Sequence, residues 1–481
     1  MADCKLDTEA IRHIHLIAVC GAGMGSLAGM LKALGYHVTG SDVGAYPPMS
    51  EQLEALGIKI LEGYDPSHLE PRPDLVVIGN AISKGNAEGD AAIAAGIDYI
   101  SMTDALRLFF FRRKTLAALC GTHGKTTSTA ALAWILEHGG FDPTYLVGGV
   151  MENTDASYRV GQSSLAVVEG DEYDTAWFDK VPKFVRYRPD LAVLENIEFD
   201  HADIYDDLDA VRDAFRQLVT ALPAGGVLAA GIDCPNVRDL VKEASCEVVS
   251  FGFAPDARVG GEILAVSPAG MRFVLRVDGE ERGPFESVLS GKHNLLNLMG
   301  VYILARRLGV SDAGFADGLA TFRGIKRRQQ VIGEAAGVLV IDDFAHHPTA
   351  VRVTLESLRA ARPGRRLVTV FEPRTNTSRR AFFQEEYAKA FAAADLAVIV
   401  EVQALQKGLP EDVLDVARLV RELEELGTNA VYAADYDDAL RIVLERAHAG
   451  DQIAFLSNGG FGKLPRRAAA ALSEKEMNRA E

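Results

Sequence analysis

TLAALCGTHGKTTSTAALAWILEHGG, residues 115–140, decides the fold. Thr115 to Cys120 is a short apolar run bounded by a glycine, which predicts a buried strand. Ser128 onward has helical composition and ends in Gly139 and Gly140, a helix stop. Between them, Gly121-Thr122-His123-Gly124-Lys125-Thr126-Thr127 occupies the strand-to-helix turn, where a phosphate loop belongs. Its backbone N–H groups can cradle phosphates, Lys125 can meet the distal ones, and the Thr126 hydroxyl can ligate Mg²⁺. The spacing is not that of a Walker A motif, because Leu119 stands where the first glycine would be. A lysine at an ordinary helix start is the plain alternative.

Two further apolar runs follow. Ser164 to Val168 delivers Glu169-Gly170-Asp171-Glu172 at its end, and Leu191 to Leu194 delivers ENIEFDHAD, which contains His201. An acidic cluster alone is usually a solvated loop. Behind buried strands and beside a phosphate loop it reads as a magnesium site.

Upstream, His15 to Cys20, Tyr36 to Gly40 and Asp74 to Gly79 read as strands, with a helix from Leu27 to Leu34. The turn Gly21-Ala22-Gly23-Met24-Gly25-Ser26 has Asp42 twenty-one residues after Gly21, close to a dinucleotide fingerprint except that Ser26 replaces the third glycine. A bound diphosphate and a purely structural turn both fit it. Downstream, residues 247–288 alternate in short strands, predicting a small antiparallel sheet, and Lys292 to Leu308 reads as a helix. Strands and helices alternate again from Gly324, in GVLVIDDF, RLVTVFEP, LAVIVEV, AVYAA and QIAFLSNGG. The fold expected is α/β in three domains, 1–112, 113–323 and 324–481. The first and third are Rossmann-like, and the central one is P-loop ATPase-like with a parallel sheet plus the small antiparallel one. Ligands in such sheets bind beyond the carboxyl ends of strands.

Composition narrows the function. With 481 residues, three domains of ordinary size are expected. Fifty Lys+Arg against 67 Asp+Glu give a net charge of −17, which excludes a nucleic-acid-binding surface. The five cysteines are scattered, without a C-x-x-C pair, so neither a disulfide framework nor a zinc ribbon is expected. The first residues mix charges of both signs, unlike a signal peptide, and no apolar stretch reaches the ~18–20 residues of a membrane span. A cytoplasmic protein, with no membrane partner, is expected.

The order GTHGKTT, EGDE, NIEFDHAD, GKHNLLN, GIKRR, DDFAHHP resembles the Mur ligase family across nearly the whole chain. The resemblance implies an ATP- and Mg²⁺-dependent ligase of cell-wall peptide assembly or recycling. It would activate the carboxylate of UDP-N-acetylmuramate as an acyl phosphate and pass it to an amine. GAGMGSLAGML, GSDVGAYPPMS, EGDEYDTAWFD and FEPRTNTSRR favour the tripeptide L-Ala-γ-D-Glu-meso-diaminopimelate as acceptor, and L-alanine is the alternative. Implied roles are ATP binding by Gly121, Thr122, Gly124, Lys125, Thr126, Thr127, His293, Asn294, Asn297, Arg328 and Asp343. Metal ligation falls to Thr126, Glu169 and His201, and catalysis to Lys125, Glu169, His201 and Arg328. The UDP-sugar is implied at Gly21, Gly23, Met24, Gly25, Ser26, Asp42, Asn80, Ala81 and Ile82. His347 is a further candidate toward the substrate, and Arg374 and Arg379 are candidates for the peptide carboxylates on the ground of charge. A monomer or weak dimer is expected. Two other readings, an NAD-dependent oxidoreductase and a non-enzymatic ATP-binding regulator, leave Glu169 and His201 unused.

Overall fold

A computed structural model describes residues 6–44, 49–201, 204–375, 377–402 and 412–480. Residues 45–48 of GSDVGAYPPMS, 202–203 of ENIEFDHAD and 376 of FEPRTNTSRR lie outside the described residues. The chain forms three main sheets in series.

The first sheet is wholly parallel, in the order Lys59–Glu62, His37–Asp42, His13–Ile17, Leu75–Ile78, Asp98–Ser101. Connections leave the first strand in both directions, which opens a crevice at its carboxyl end. That strand stops at Ile17, earlier than the apolar run suggests. Ala18 takes a left-handed φ of 69°, and the Ala18 and Val19 N–H groups both turn to Ser41 O. The helix begins at Ala22, inside the glycine turn, and runs to Ala33.

The second sheet has ten strands and carries the 115–140 segment at its centre. Thr115–Cys120 lies between Leu165–Gly170 and Leu191–Leu194, parallel to both, with Leu119 opposite Glu169 and Cys120 opposite Gly170 and Leu194. This register brings the phosphate-type loop and the acidic strand ends to one edge. Glu247–Phe251 extends the parallel part beside Val227–Gly231, contrary to the antiparallel pattern expected from 247. Within 247–288 the antiparallel pairing is confined to Val259–Ser267, Gly270–Val277 and Glu280–Ser287, which continue the same sheet.

The third sheet orders Gln330–Ala335, Val338–Asp343, Gln452–Leu456, Leu367–Phe371, Leu396–Val400, Asn429–Ala433. Its edge strand Gln330–Ala335 is antiparallel to the next and was not legible, because QVIGEA is largely solvent-facing and interrupted by a glycine.

Helices Lys125–His138 and Lys292–Arg307 cover one face of the central sheet over an apolar core running from Ala117 to Ile325. The other face shares a continuous core with the first sheet, from Ile14 and Leu31 to Ala118 and Phe215. Among the described residues no helix is long and apolar enough to cross a membrane.

Candidate active site

The loop after Thr115–Cys120 is shaped by two left-handed glycines. Gly121 has φ 140°, and Gly124, which precedes the helix, has φ 88°. A Cβ on Gly124 would lie 1.8 Å from Glu195 Oε2, so only glycine lets the loop pass this close to the neighbouring strand end. Asn196 fixes the approach: its carbonyl accepts from Thr122 N at 3.0 Å and its Oδ1 from His123 N at 2.8 Å. The first-turn amides of Lys125–His138 have no intrahelical acceptor and open at this edge, where they favour anions.

Lys125 Nζ donates to Gly121 O at 2.6 Å, Thr122 O at 3.1 Å and Glu172 Oε2 at 3.0 Å. Burial works against its charge, but Glu172 and Glu169 outweigh it and raise the Lys125 pKa. The Thr126 hydroxyl donates to Glu169 Oε1 at 3.1 Å, and the other oxygen of Glu169 accepts from Gly148 N at 2.9 Å. Arg328 Nη2, from the segment entering the third sheet, lies 3.5 Å from the same hydroxyl, and its guanidinium stacks 4.7 Å from the Phe344 ring centre.

His201 sits with φ 58°, its Nδ1 2.6 Å from the Tyr173 hydroxyl and its Nε2 3.2 Å from Glu172 Oε1. Burial lowers its pKa, but bonding to Glu172 and the charge of Asp200 prevail and raise it. Glu172 itself, despite burial, is held down to about 2 by Lys125 and His201. In this arrangement His201 is a hydrogen-bonded partner of Glu172 and Tyr173, at the same strand-end edge as Glu169. Thr126 and Glu169, a hydroxyl and a carboxylate already in contact, do fit a hard cation.

Helix Lys292–Arg307 begins at Gly291, φ 92°, and aims His293, Asn294 and Asn297 at the loop. Asn294 Nδ2 donates to Ser290 O at 2.8 Å. With its amide turned so that nitrogen faces carboxylate, Asn297 donates to Glu195 Oε2 at 2.8 Å. Glu195 also accepts from the Ser128 hydroxyl, and burial pushes its pKa up to about 8. Asp343 ends its strand with Oδ2 accepting from Gln329 N and Oδ1 from Ala345 N, both at 2.7 Å.

These residues line one cleft of about 2090 Å³ between the second and third sheets, with Arg374 and His346 on its far wall and Glu51 and Gln52 from the first. A cleft this size exceeds what a drug-sized ligand needs and can take a nucleotide with a second large substrate. Donor set, glycine cradle and volume together fit a magnesium nucleotide.

The other expected residues divide. Gly21 and Gly23 stay accessible at the first crevice, while Met24, Gly25 and Ser26 are buried because the helix has absorbed them. The Ser26 hydroxyl donates to Ala22 O and pairs with Ser157 Oγ of the central unit at 2.8 Å, so it does not face a ligand there. Asp42 Oδ2 braces the turn by accepting from Cys20 N at 2.8 Å. Asn80 and Ala81 reach the surface after Leu75–Ile78, and Ile82 is buried. Arg374 reaches the cleft, beside the buried Glu372 at 3.3 Å. Arg379 does not: it is 3% exposed, with Nε bonded to Thr375 O at 3.4 Å. His347 is also buried, and lines a separate cavity of about 320 Å³. EYDTAWFD, read as favouring the peptide, forms the hairpin Asp174–Ala176 and Asp179–Pro182. Trp177 and Phe178 at its tip pack on the first sheet, Phe178 edge-on to Tyr99 at 5.3 Å. Glu195 and His346 were missed. Glu195 had a signal, since it follows its buried strand just as Glu169 follows its own.

Family models match most of the chain: "Mur ligase family, catalytic domain" over 13–113, "Mur ligase middle domain" over 119–305 and "Mur ligase, glutamate ligase domain" over 327–459. The UDP-N-acetylmuramate–L-alanyl-γ-D-glutamyl-meso-2,6-diaminoheptandioate ligase of Escherichia coli K12 is 38% identical over 469 residues, covering 96% of this chain and 98% of its own. A UDP-N-acetylmuramate–L-alanine ligase of Salinibacter ruber is 35% identical over 93% of this chain and 92% of its own. A crystal structure of a murein peptide ligase from Psychrobacter arcticus superposes with a TM-score of 0.72 at 34% identity, covering 96% of this chain and 99% of that one.

Proposed function

This chain belongs to the Mur ligase family, and on that premise we propose that it is an ATP-dependent ligase joining L-Ala-γ-D-Glu-meso-diaminopimelate to UDP-N-acetylmuramate. The identity to the tripeptide ligase of Escherichia coli supports the tripeptide as acceptor, over the free L-alanine of the sister enzymes. The observation that carries the chemistry is the convergence on Thr126: a loop hydroxyl, the Glu169 carboxylate and the Arg328 guanidinium meet at one oxygen, next to Lys125.

The substrate carboxylate and the ATP γ-phosphate are both anionic, so their approach needs positive charge. Lys125, Arg328 and the first-turn amides would supply it. Thr126 and Glu169 would hold Mg²⁺, which when bound neutralises developing phosphate charge. Lys125 leaves its Glu172 partner to reach a phosphate, and His201 then keeps the Glu172 carboxylate compensated. The carboxylate oxygen attacks the γ-phosphorus and ADP leaves, giving an acyl phosphate; the peptide's α-amine then attacks the acyl carbon, phosphate is expelled, and the amine proton passes to phosphate or solvent. Arg374 orients the peptide through a carboxylate, itself oriented by Glu372.

On this reading residues 1–112 take the UDP-sugar at the Gly21, Asp42 and Asn80 crevice, 113–323 bind ATP, and 324–481 bind the peptide and part of ATP. Both ATP and the UDP-sugar are cytoplasmic, which sets the compartment. The test is phosphate release with ATP, Mg²⁺ and UDP-N-acetylmuramate, comparing the tripeptide with L-alanine. Turnover with the tripeptide alone supports the reading. Turnover with alanine alone overturns the acceptor, and ATP hydrolysis that needs neither the nucleotide sugar nor an amine overturns the ligase in favour of a regulator.

A further inference from the structure

A second constellation lies on the outer side of the phosphate-type loop. His123 Nε2 is 3.3 Å from Glu198 Oε2, and His347 Nδ1, from the third unit, is 3.7 Å from the same oxygen. One ligand atom from each residue lies within 4.8 Å of the other two. Ligands around a tetrahedral zinc-type ion at ~2.1 Å stand about 3.4 Å apart, a value these separations bracket.

The neighbours are arranged as they are around ligating side chains. Phe199 O lies 3.3 Å from His347 Nε2, so the ring proton belongs there and Nδ1, 3.7 Å from Glu198 Oε2, carries the lone pair. That lone pair accepts from Thr349 N at 3.3 Å, a long helix-cap bond that an ion would replace. The Thr349 hydroxyl donates to Glu198 Oε2 at 2.7 Å and orients the carboxylate. Such partners fix tautomer and ligand direction at metal centres. The two imidazoles are 4.6 Å apart and tilted by 46°, too close for both to be charged comfortably. Glu198 and Thr349 line both the main cleft and the smaller cavity, which gives an ion a path to these residues.

We propose that His123, Glu198 and His347 form a binding site for a transition-metal dication of the zinc class, bridging the phosphate-type loop and the start of helix Pro348–Ala361. Two nitrogens and one carboxylate select such an ion over Mg²⁺, whose all-oxygen preference the Thr126–Glu169 pair meets. Because its ligands come from two units, the ion ties the second sheet to the third.

The full chain, stripped of metal by chelation and kept in excess Mg²⁺, is titrated with Co²⁺ while visible absorption is recorded, then with Zn²⁺. One equivalent of Co²⁺ with intense low-coordinate bands, displaced by Zn²⁺, is expected. His123→Ala, on a partly exposed loop position, and Glu198→Gln should each weaken uptake by about 100-fold or more, and Thr349→Ala by about 10-fold. Glu169→Gln should leave it unchanged. Zn²⁺ should raise the thermal midpoint of the native sequence and not that of His123→Ala, with circular dichroism confirming that each variant is folded. No uptake in excess Mg²⁺, uptake unaltered in folded His123→Ala, or loss in Glu169→Gln alone overturns the proposal.

Discussion

Glu172→Gln tests the electrostatics on which the site is built. Glu172 is 1% exposed and bridges Lys125 and His201. Its pKa falls from an ordinary 4.5 to about 2, a displacement worth about 3 kcal/mol of folding stability, since each unit is ~1.4 kcal/mol. Removing one member of a buried ion pair typically costs ~3–5 kcal/mol, which agrees. Both tryptophans, Trp134 and Trp177, belong to the central unit, so fluorescence during urea unfolding reports on the unit that is perturbed. With a slope of about 3 kcal/mol per molar, the midpoint of Glu172→Gln should fall by about 1 M. The sign follows from each partner. A depressed carboxylate stabilises above its unfolded value and loses this as pH falls toward about 2. The raised pKa of His201 stabilises below 6.5 and loses this as pH rises through its folded value. The gap between native and variant should therefore be widest between about pH 4.5 and 6.5 and narrow on both sides. A gap under about 0.3 M near pH 6, or one that widens as pH drops below 4.5, refutes the reasoning.

Lys125→Ala should lower ligand-dependent phosphate release by ~10³-fold or more while UDP-N-acetylmuramate binding, measured calorimetrically, is unchanged. Gly124→Ala places a Cβ 1.8 Å from Glu195 Oε2 at φ 88°, so ATP affinity should fall at least ~10-fold with the rest of the fold intact by circular dichroism. Arg374→Ala should raise the peptide KM by ~10–100-fold and leave that of ATP alone, as expected for one lost charged hydrogen bond. Arg379→Ala should leave the peptide KM alone and instead cost ~1–2 kcal/mol of stability in thermal melts.

What the sequence carried was local. GTHGKTT is a strand end, a turn and a helix start within a dozen residues, and its backbone needs are written into Gly121 and Gly124. The acidic ends after SLAVV and LAVL were legible for the same reason, because an apolar run states where its carboxyl edge lies. Strand limits were less so: Ala18 carries no mark of its left-handed φ, and Ala22 to Ser26 read as a turn because glycines conceal a helix start. What the sequence could not place in the site is all of one kind. Arg374 and Arg379 have the same charge and are five residues apart, yet only packing around Glu372 and Thr375 decides which one faces the cleft. His346 and His347 are adjacent and point into different cavities. Trp177 and Phe178 follow the acidic cluster in sequence but press on the first sheet, so the hairpin that carries them, next to the Tyr173 that meets His201, packs the second unit against the first. Composition cannot encode such contacts, because they depend on where two sheets meet. On the proposed function, acceptor specificity is to be sought around Arg374, because it lines the cleft and Arg379 does not.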